Sequence, residues 1–222
     1  MRREIDINTI TGQFNKTNDF DTIVLERHSV KVYDPEVKIS REEMTEILAK
    51  ASRAPSAINM QPWRFLVIDS AEGKEKLAPL ASFNQTQALT SSAVIAVFYD
   101  ANNVEYMEEI FSKSVELGYM PQDIMDMQMQ QVKPYYANIN ASELRDMNLI
   151  DSGLISMQLM LVARAHGYDT NPMAGYDKGQ IAEAFGLDKE RFQPVMLISI
   201  GKAAKEGYPS YRLPVETITT WA

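Results

Sequence analysis

Apolar positions along the chain follow two rhythms: a spacing of three to four residues that predicts helices, and short unbroken runs that predict buried strands. Phe20, Ile23, Val24 and Leu25 suit a short helix running into Glu26-Arg27-His28-Ser29, after which Val30-Lys31-Val32-Tyr33 alternates like a strand until Pro35. Ser40 and Glu43 have the spacing of a capping box, and Met44, Ile47, Leu48 and Ala51 follow on one helical face. This helix leads into Pro55-Ser56-Ala57-Ile58-Asn59-Met60-Gln61-Pro62, the polar loop around which the chain is organised. A residue before proline is pushed out of the α region, so Ala54 and Gln61 mark a helix end and a strand approach. The loop can be a plain connector or a ligand-binding edge.

Trp63 to Asp69 and Ala93 to Tyr99 read as buried strands, separated by a short helix to Leu80 and the polar stretch Ser82 to Gln87. From Ala101 to Ala141 methionines are scattered among acids and amides, and Gly118 and Pro121 break the run. Helices forming a mobile cover fit this pattern, and so do methionines that fill irregular core gaps. Ser142 is placed to cap a long helix whose stripe is Leu144, Met147, Ile150, Leu154, Met157, Leu161 and Ala165, widened by Ile155 and Val162, a pattern that predicts deep burial, with His166-Gly167 at its end. Tyr168 to Asp177 is extended, Ile181 to Phe185 is a short helix closed by Gly186, and Val195 to Ile200 is a third buried strand. Ile218 to Trp221 suits a further strand or an arm.

The absence of any repeat or low-complexity linker favours one domain over residues 20–222, after a leader or arm at 1–19 and with a helical insertion at about 101–141. Within 222 residues, 45% hydrophobic content is ordinary for a globular core. A formal net charge of -8 disfavours a nucleic-acid surface, and without cysteine there is no disulfide, thiolate catalysis or Cys-ligated metal. No apolar stretch is long enough for export or membrane spanning, which points to a cytoplasmic protein without a membrane partner. A Rossmann G-x-G-x-x-G, a P-loop and an H-E-x-x-H are all missing, no metal site is expected, and neither His28 nor His166 accompanies a G-x-S-x-G elbow.

What remains is a set of four polar loops, each at the end of an apolar element: Arg27 to Lys31, Pro55 to Gln61, Asn84 to Gln87 and Pro172 to Gly175. Arg27, His28, Ser29 and Lys31 can hold a phosphate and a polyol chain, with Arg212 as a second cation. Arg27 and Lys31 equally suit a solvated face with surface ion pairs.

Arg27-His28-Ser29-x-Lys31, Pro55-Ser56-x-x-Asn59-x-Gln61-Pro62-Trp63, Pro172-Met173-x-Gly175-Tyr176-Asp177 and Arg212-Leu213-Pro214 stand in the order and approximate spacing of the FMN-dependent nitroreductase family, which the chain resembles over residues 20–222. The resemblance implies an α+β fold: a central mixed, mainly antiparallel sheet flanked by helices. It also implies a homodimer with C-terminal arm exchange and FMN sites at the interface, reduced by NADH or NADPH in a ping-pong cycle. By the same resemblance Arg27, His28 and Ser29 contact FMN phosphate and ribityl oxygens, Lys31, Asn84 and Gln87 lie at the pyrimidine edge, and Arg212 binds phosphate. Pro55, Ser56 and Asn59 reach the flavin of the other subunit, while backbone around Pro172, Met173, Ala174 and Gly175 faces its N5 and O4.

Three positions depart from the family pattern: Ala174 stands where relatives often have Glu, Gln87 where a Lys can sit, and Ser210 where a Lys can precede the C-terminal Arg. Lys202 or Lys205 is available to compensate. The implied activity is FMN-dependent NAD(P)H oxidoreduction of nitroaromatics, quinones or similar small electron-poor acceptors, with no side-chain catalytic acid or base because the flavin carries the hydride. The alternatives are other flavin chemistry on the same fold (flavin reductase, dehalogenase or oxidase) and flavin binding without turnover.

Overall fold

The computed structural model describes residues 16–222, so most of the leader expected at 1–19 lies outside the described residues. Its centre is the strand β2 (Ala93–Asp100), in which every residue is buried. Ala93, Ile95 and Val97 point into one apolar cluster and Val94, Ala96 and Phe98 into another, so the period-two geometry of a strand serves two cores at once. This is why its sequence is a continuous apolar run rather than an alternation.

Around it the sheet runs in the order β1 (Trp63–Ile68), β2, β4 (Phe192–Gly201), β3 (Asp169–Met173), with every named pair antiparallel. The mixed character expected of the sheet reduces to an isolated parallel bridge between Ser29 and Thr170. A bulge between Val97 and Phe98 sets Phe98 opposite Pro194, which lets a proline sit within β4. Pro172 lies in the edge strand β3, where a missing N–H is tolerated; the extended segment at 168–177 is thus partly a true strand.

On one face of the sheet pack α2 (Arg41–Ala51), capped by Ser40, and the long α7 (Ala141–Ala165). Against the other lie α3 (Ala71–Leu77), the 3₁₀ segment Ala78–Asn84, α4 (Gln85–Thr90) and α8 (Ile181–Ala184). A third apolar cluster joins α5 (Met107–Glu116) and α6 (Gln122–Asn138) through Met107, Phe111 and Tyr136, with Met125, Met129 and Met147 packed against it. Those methionines fill gaps between helices; Met127 stays exposed. Buried Asp100 ends β2 and pairs with Arg64 at 3.1 Å and with Arg191 at 2.8 Å, fixing the entry into the 101–141 segment against the start of β1.

Several sequence expectations are corrected. The cap of α7 is Asn140, whose side chain accepts the Glu143 N–H, and Ser142 instead donates to Asn140. The buried face of α7 carries Ile155, Leu159, Met160 and Ala163 together with Asn148, Asp151, Ser152 and Ser156, whereas Ile150, Leu154 and Met157 are exposed. Of the predicted stripe, Ile155 is buried and Leu144, Met147 and Val162 pack against apolar clusters, while its centre turns outward because this helix has apolar residues on two faces. Residues 30–33 form one bridge, Tyr33 to Ala203, and single hydrogen bonds rather than a strand, and 218–221 hold no strand: α9 (Val215–Ile218) ends there. Of the apolar residues in α1 (Phe20–Glu26), Ile23 alone is buried.

Where α2 and α7 end, His166 is 2% exposed. Its Nδ1 lies 3.2 Å from Glu43 and its Nε2 3.0 Å from the Lys50 ammonium, while Tyr168 donates to Glu43 at 2.8 Å. An ammonium donating to Nε2 assigns the neutral tautomer with the proton on Nδ1. Burial, with Lys50 and Lys16 nearby, holds the imidazole pKa below its ordinary 6.5 despite Glu43 and Glu46. The unfolded chain therefore takes up this proton first, and stability contributed by the neutral ring is complete above pH 6.5 and declines as pH falls below it. In thermal melts from pH 8 to pH 5, His166→Gln is expected to show a shallower acid-side fall in midpoint than the parent; parallel curves would contradict this assignment.

Candidate active site

The first polar loop begins where α1 stops. Nδ1–H of His28 donates to the Glu26 carbonyl at 2.7 Å, and Val30 N–H donates to the Thr170 carbonyl on β3 at 3.2 Å. Asp34 N–H reaches the Lys202 carbonyl at 2.8 Å and Ala204 N–H the Val32 carbonyl at 3.0 Å, so the loop is stitched between β3 and the chain leaving β4. Arg164 braces the junction through Glu26 at 2.8 Å and Asp169 at 2.9 Å.

Arg27, His28, Arg164 and Arg212 line one cleft of about 980 Å³, together with the acids Glu26 and Glu206. The Arg27 side chain makes no hydrogen bond or ion pair among the described residues, and Arg212 bonds only locally, to Ser210 Oγ at 2.7 Å and the Tyr211 carbonyl at 3.2 Å. Two guanidinium groups from opposite ends of the chain are thus left for an anion, while Arg164 is committed to its carboxylates. Ser210 has a role of its own here, since it orients Arg212. Lys202 donates to the Gly167 carbonyl at 2.7 Å and lines a different cavity, beside His166, so it is not a cation of this cleft. Ser29 and Lys31 are exposed beside the cleft-forming residues.

Two further loops meet. Asn84 Nδ2 donates to the Gly175 carbonyl at 2.8 Å, and Gln87, which is buried, donates to Asn84 Oδ1 at 3.1 Å. Gln87 therefore orients Asn84, and Asn84 holds the turn after Pro172 and Met173, in which Ala174 and Gly175 are exposed. Two residues before Asn84, Ser82 has φ 49° and ψ -115°, and Phe83 between them is fully exposed. Behind this turn the hydroxyls of Thr170 and Tyr176 are buried without a partner among the described residues, and burial pushes the Tyr176 phenol well above its usual range.

The Pro55 loop stands apart and is strained. Ile58, Asn59 and Gln61 all have positive φ, at 44°, 59° and 46°. Such conformations cost about 1–3 kcal/mol each in residues bearing a side chain and persist only where neighbours enforce them. Here Ser56 Oγ accepts the Gln61 N–H at 3.0 Å, Arg64 donates to the Gln61 carbonyl at 3.0 Å, and Asp151 accepts the Ala57 N–H. Asn59 lines a cavity of about 460 Å³ and Ile58 an apolar one of about 230 Å³; neither includes Arg27 or Arg212. Among the sequence-identified residues, then, the structure gathers Arg27, His28 and Arg212 at one cleft and links Asn84, Gln87 and Gly175, while Pro55, Ser56 and Asn59 face elsewhere.

Sequence reading missed Arg164, Asp151, Phe83 and Gly207. An acid within an apolar helix was the available signal for Asp151; for Gly207 there was only a glycine preceding Tyr-Pro. A Cβ at Gly207 would overlap the Ser29 carbonyl and the His28 ring, so this glycine lets the C-terminal tail lie directly on the first loop.

Comparison with known proteins bears on this arrangement. The Nitroreductase family profile matches residues 24–202. The chain is 68% identical over 206 residues to the Bacillus subtilis protein YdgI, provisionally designated an NAD(P)H nitroreductase, covering 93% of this chain and 99% of that protein. It is 37% identical to the CLA biosynthesis enone reductase of Lactiplantibacillus plantarum, covering 91% and 94% of the two chains. A crystal structure from Exiguobacterium sibiricum, provisionally designated a nitroreductase and solved in complex with FMN, superposes with a TM-score of 0.92 at 60% identity, covering 95% of this chain and 100% of that one.

Gly207→Ala is expected to displace the tail that carries Arg212. Limited proteolysis should cut the 203–214 segment faster in the variant while the melting midpoint moves by no more than a few degrees; an unchanged cleavage rate would show that the tail accommodates the extra carbon.

Proposed function

The chain belongs to the nitroreductase family, and from that premise we propose a homodimeric, FMN-dependent NAD(P)H oxidoreductase that reduces nitroaromatics, quinones or similar electron-poor acceptors in a ping-pong cycle. The observation that carries the cofactor assignment is the cleft that Arg27 and Arg212 line together, with no acid paired to either among the described residues. FMN, when bound, supplies the hydride relay between nicotinamide and acceptor.

The protein's own residues hold and align. Arg27 and Arg212 take the phosphate, and His28 and Ser29 the ribityl oxygens. Lys31 and Asn84, the latter set by Gln87, lie at the pyrimidine edge, and the exposed backbone of Ala174 and Gly175 faces the reacting ring. With Gln87 and Ser210 in place of lysines, less positive charge surrounds the cofactor, and reduced anionic flavin gains less stabilisation. No side-chain acid or base is required, because the site's work is alignment of two planar reactants.

Ser56 and Asn59 would complete the flavin site of a second copy, which explains why they do not reach the cleft of their own chain. Exposed Ile150, Leu154 and Met157 on α7, Leu25 on α1, and Ile218 and Trp221 in the C-terminal tail support such a dimer with exchanged arms, since a monomer would leave them all in water. Residues 20–222 then act as one domain, with 101–141 an insertion that forms the acceptor-selecting wall. Tyr135, Tyr136 and Ile58 line its small apolar pocket. That pocket, with the enone reductase among the relatives, favours enones as a second acceptor class. Among the described residues no helix is long and apolar enough to cross a membrane, and we place the enzyme in the cytoplasm, where NAD(P)H is available.

Purified protein should be yellow, and anaerobic NADH or NADPH should bleach its absorbance near 450 nm; a spectrum unaffected by either donor would refute the reductase reading. Arg27→Ala and Arg212→Ala should each weaken FMN binding by roughly 10- to 100-fold, the loss of a charge-assisted contact worth about 1.5–3 kcal/mol. Unaltered affinity in both variants would argue against the phosphate assignment. Mixed dimers carrying Arg27→Ala on one chain and Asn59→Ala on the other should keep one intact site, and loss of both would contradict a shared interface.

A further inference from the structure

Asp151 lies in the middle of α7 and is 5% exposed. Both of its carboxylate oxygens face the Ala57 N–H, at 3.2 and 3.1 Å, and no other donor among the described residues reaches it. A buried carboxylate with a single backbone amide is poorly compensated for leaving water, and nothing in α7 itself calls for it. Desolvation accordingly raises its pKa, and Tyr136 on α6, whose phenol feels its charge, is neutral and brings no balancing charge.

The amide that Asp151 holds is the first of the strained loop. From Ala57 onward Ile58, Asn59 and Gln61 adopt left-handed backbone that side chains disfavour. Elsewhere Ser56 and Arg64 act within or next to the loop, Asn103 reaches the Met60 carbonyl only at 3.5 Å, and the longer-range restraints act on its far end, where Met60 packs with Met107, Phe111 and Tyr136 and the Asp100 N–H donates to the Pro62 carbonyl at 2.8 Å. Asp151 ties the loop to a long helix packed in the main core, so it sets where the loop stands and not just how it is folded.

We propose that Asp151 is a positioning residue: by accepting the Ala57 N–H it fixes the strained loop so that Ser56 and Asn59 are presented to the flavin of the partner subunit. This rests on the FMN-dependent dimer proposed above. A carboxylate suits the task because both oxygens are acceptors. An asparagine would keep one acceptor oxygen and bring two buried N–H groups that require partners of their own.

The test uses the full-length dimer and three variants: Asp151→Ala, Asp151→Asn, and Ile155→Val as a conservative core change on the next turn. Hydrogen exchange of the peptide spanning 55–62 should accelerate at least 10-fold in Asp151→Ala and less in Asp151→Asn, and stay at the parent rate in Ile155→Val. FMN affinity should fall in the same order, about 10-fold for Asp151→Ala. In mixed dimers of an Asp151→Ala chain with an Arg27→Ala chain, both lesions fall on one site, so half the flavin should be retained. Exchange and FMN affinity within twofold of the parent in both Asp151 variants overturn the proposal. Complete loss of flavin in the mixed dimer overturns its action across the interface. If Asp151→Ala fails to fold, Asp151→Asn decides the same comparisons. A parent that binds no FMN refutes the cofactor reading instead, and the exchange measurement still tells whether Asp151 holds the loop.

Discussion

The structure depends on one strand that cannot be exposed anywhere. Because β2 is covered on both faces and hydrogen-bonded along both edges, its neighbours β1 and β4 are fixed in register, and β3 is fixed through β4. Two of the candidate loops then adjoin a rigid strand end, and the Arg27 loop is stitched to the sheet by backbone hydrogen bonds. The Pro55 loop precedes β1, the Pro172 turn follows β3, and the chain leaving β4 receives the backbone of residues 32–34. Loops positioned by such a frame can carry binding groups without ordering themselves at the moment of binding.

Charge is managed by the same frame. Asp100, fully buried at the end of β2, is matched by Arg64 and Arg191, and Arg191 also contacts Glu105. Arg164 is matched by Glu26 and Asp169. With these cations neutralised, Arg27, like Arg41 and Arg53, is a guanidinium without a protein partner among the described residues, and of these three it is the one that lines the cleft with Arg212, in a protein whose net charge is -8. A cation left unpaired in a cleft is a binding group in waiting, whereas a paired one is mostly architecture.

The strained loop marks a second kind of constraint. Positive φ at Ile58, Asn59 and Gln61 is unfavourable locally and is maintained by Ser56 and Arg64 beside it and by Asp151, distant in sequence. Sequence reading found the loop through its prolines, its capping helix and its polar content, all short-range properties. It could not find the strain, because left-handed backbone at isoleucine and glutamine contradicts local preference. In the same way it put Ile150, Leu154 and Met157 in the core: spacing on α7 gives a stripe, and only the neighbours of a helix decide which of two stripes faces inward.

The amino-acid sequence by itself determined the buried strands, the helix that feeds the Pro55 loop, and a set of spaced polar motifs sufficient to identify the family. These follow from periodicity, proline geometry and residue order, which need no partner. Tertiary structure alone decided that Arg27 and Arg212, 185 positions apart, share a cleft, that Gly207 lets the tail lie on His28 and Ser29, and that Asp151 holds Ala57. Such contacts join residues distant along the chain, and their geometry comes from the packing of both faces of β2, which no local pattern encodes.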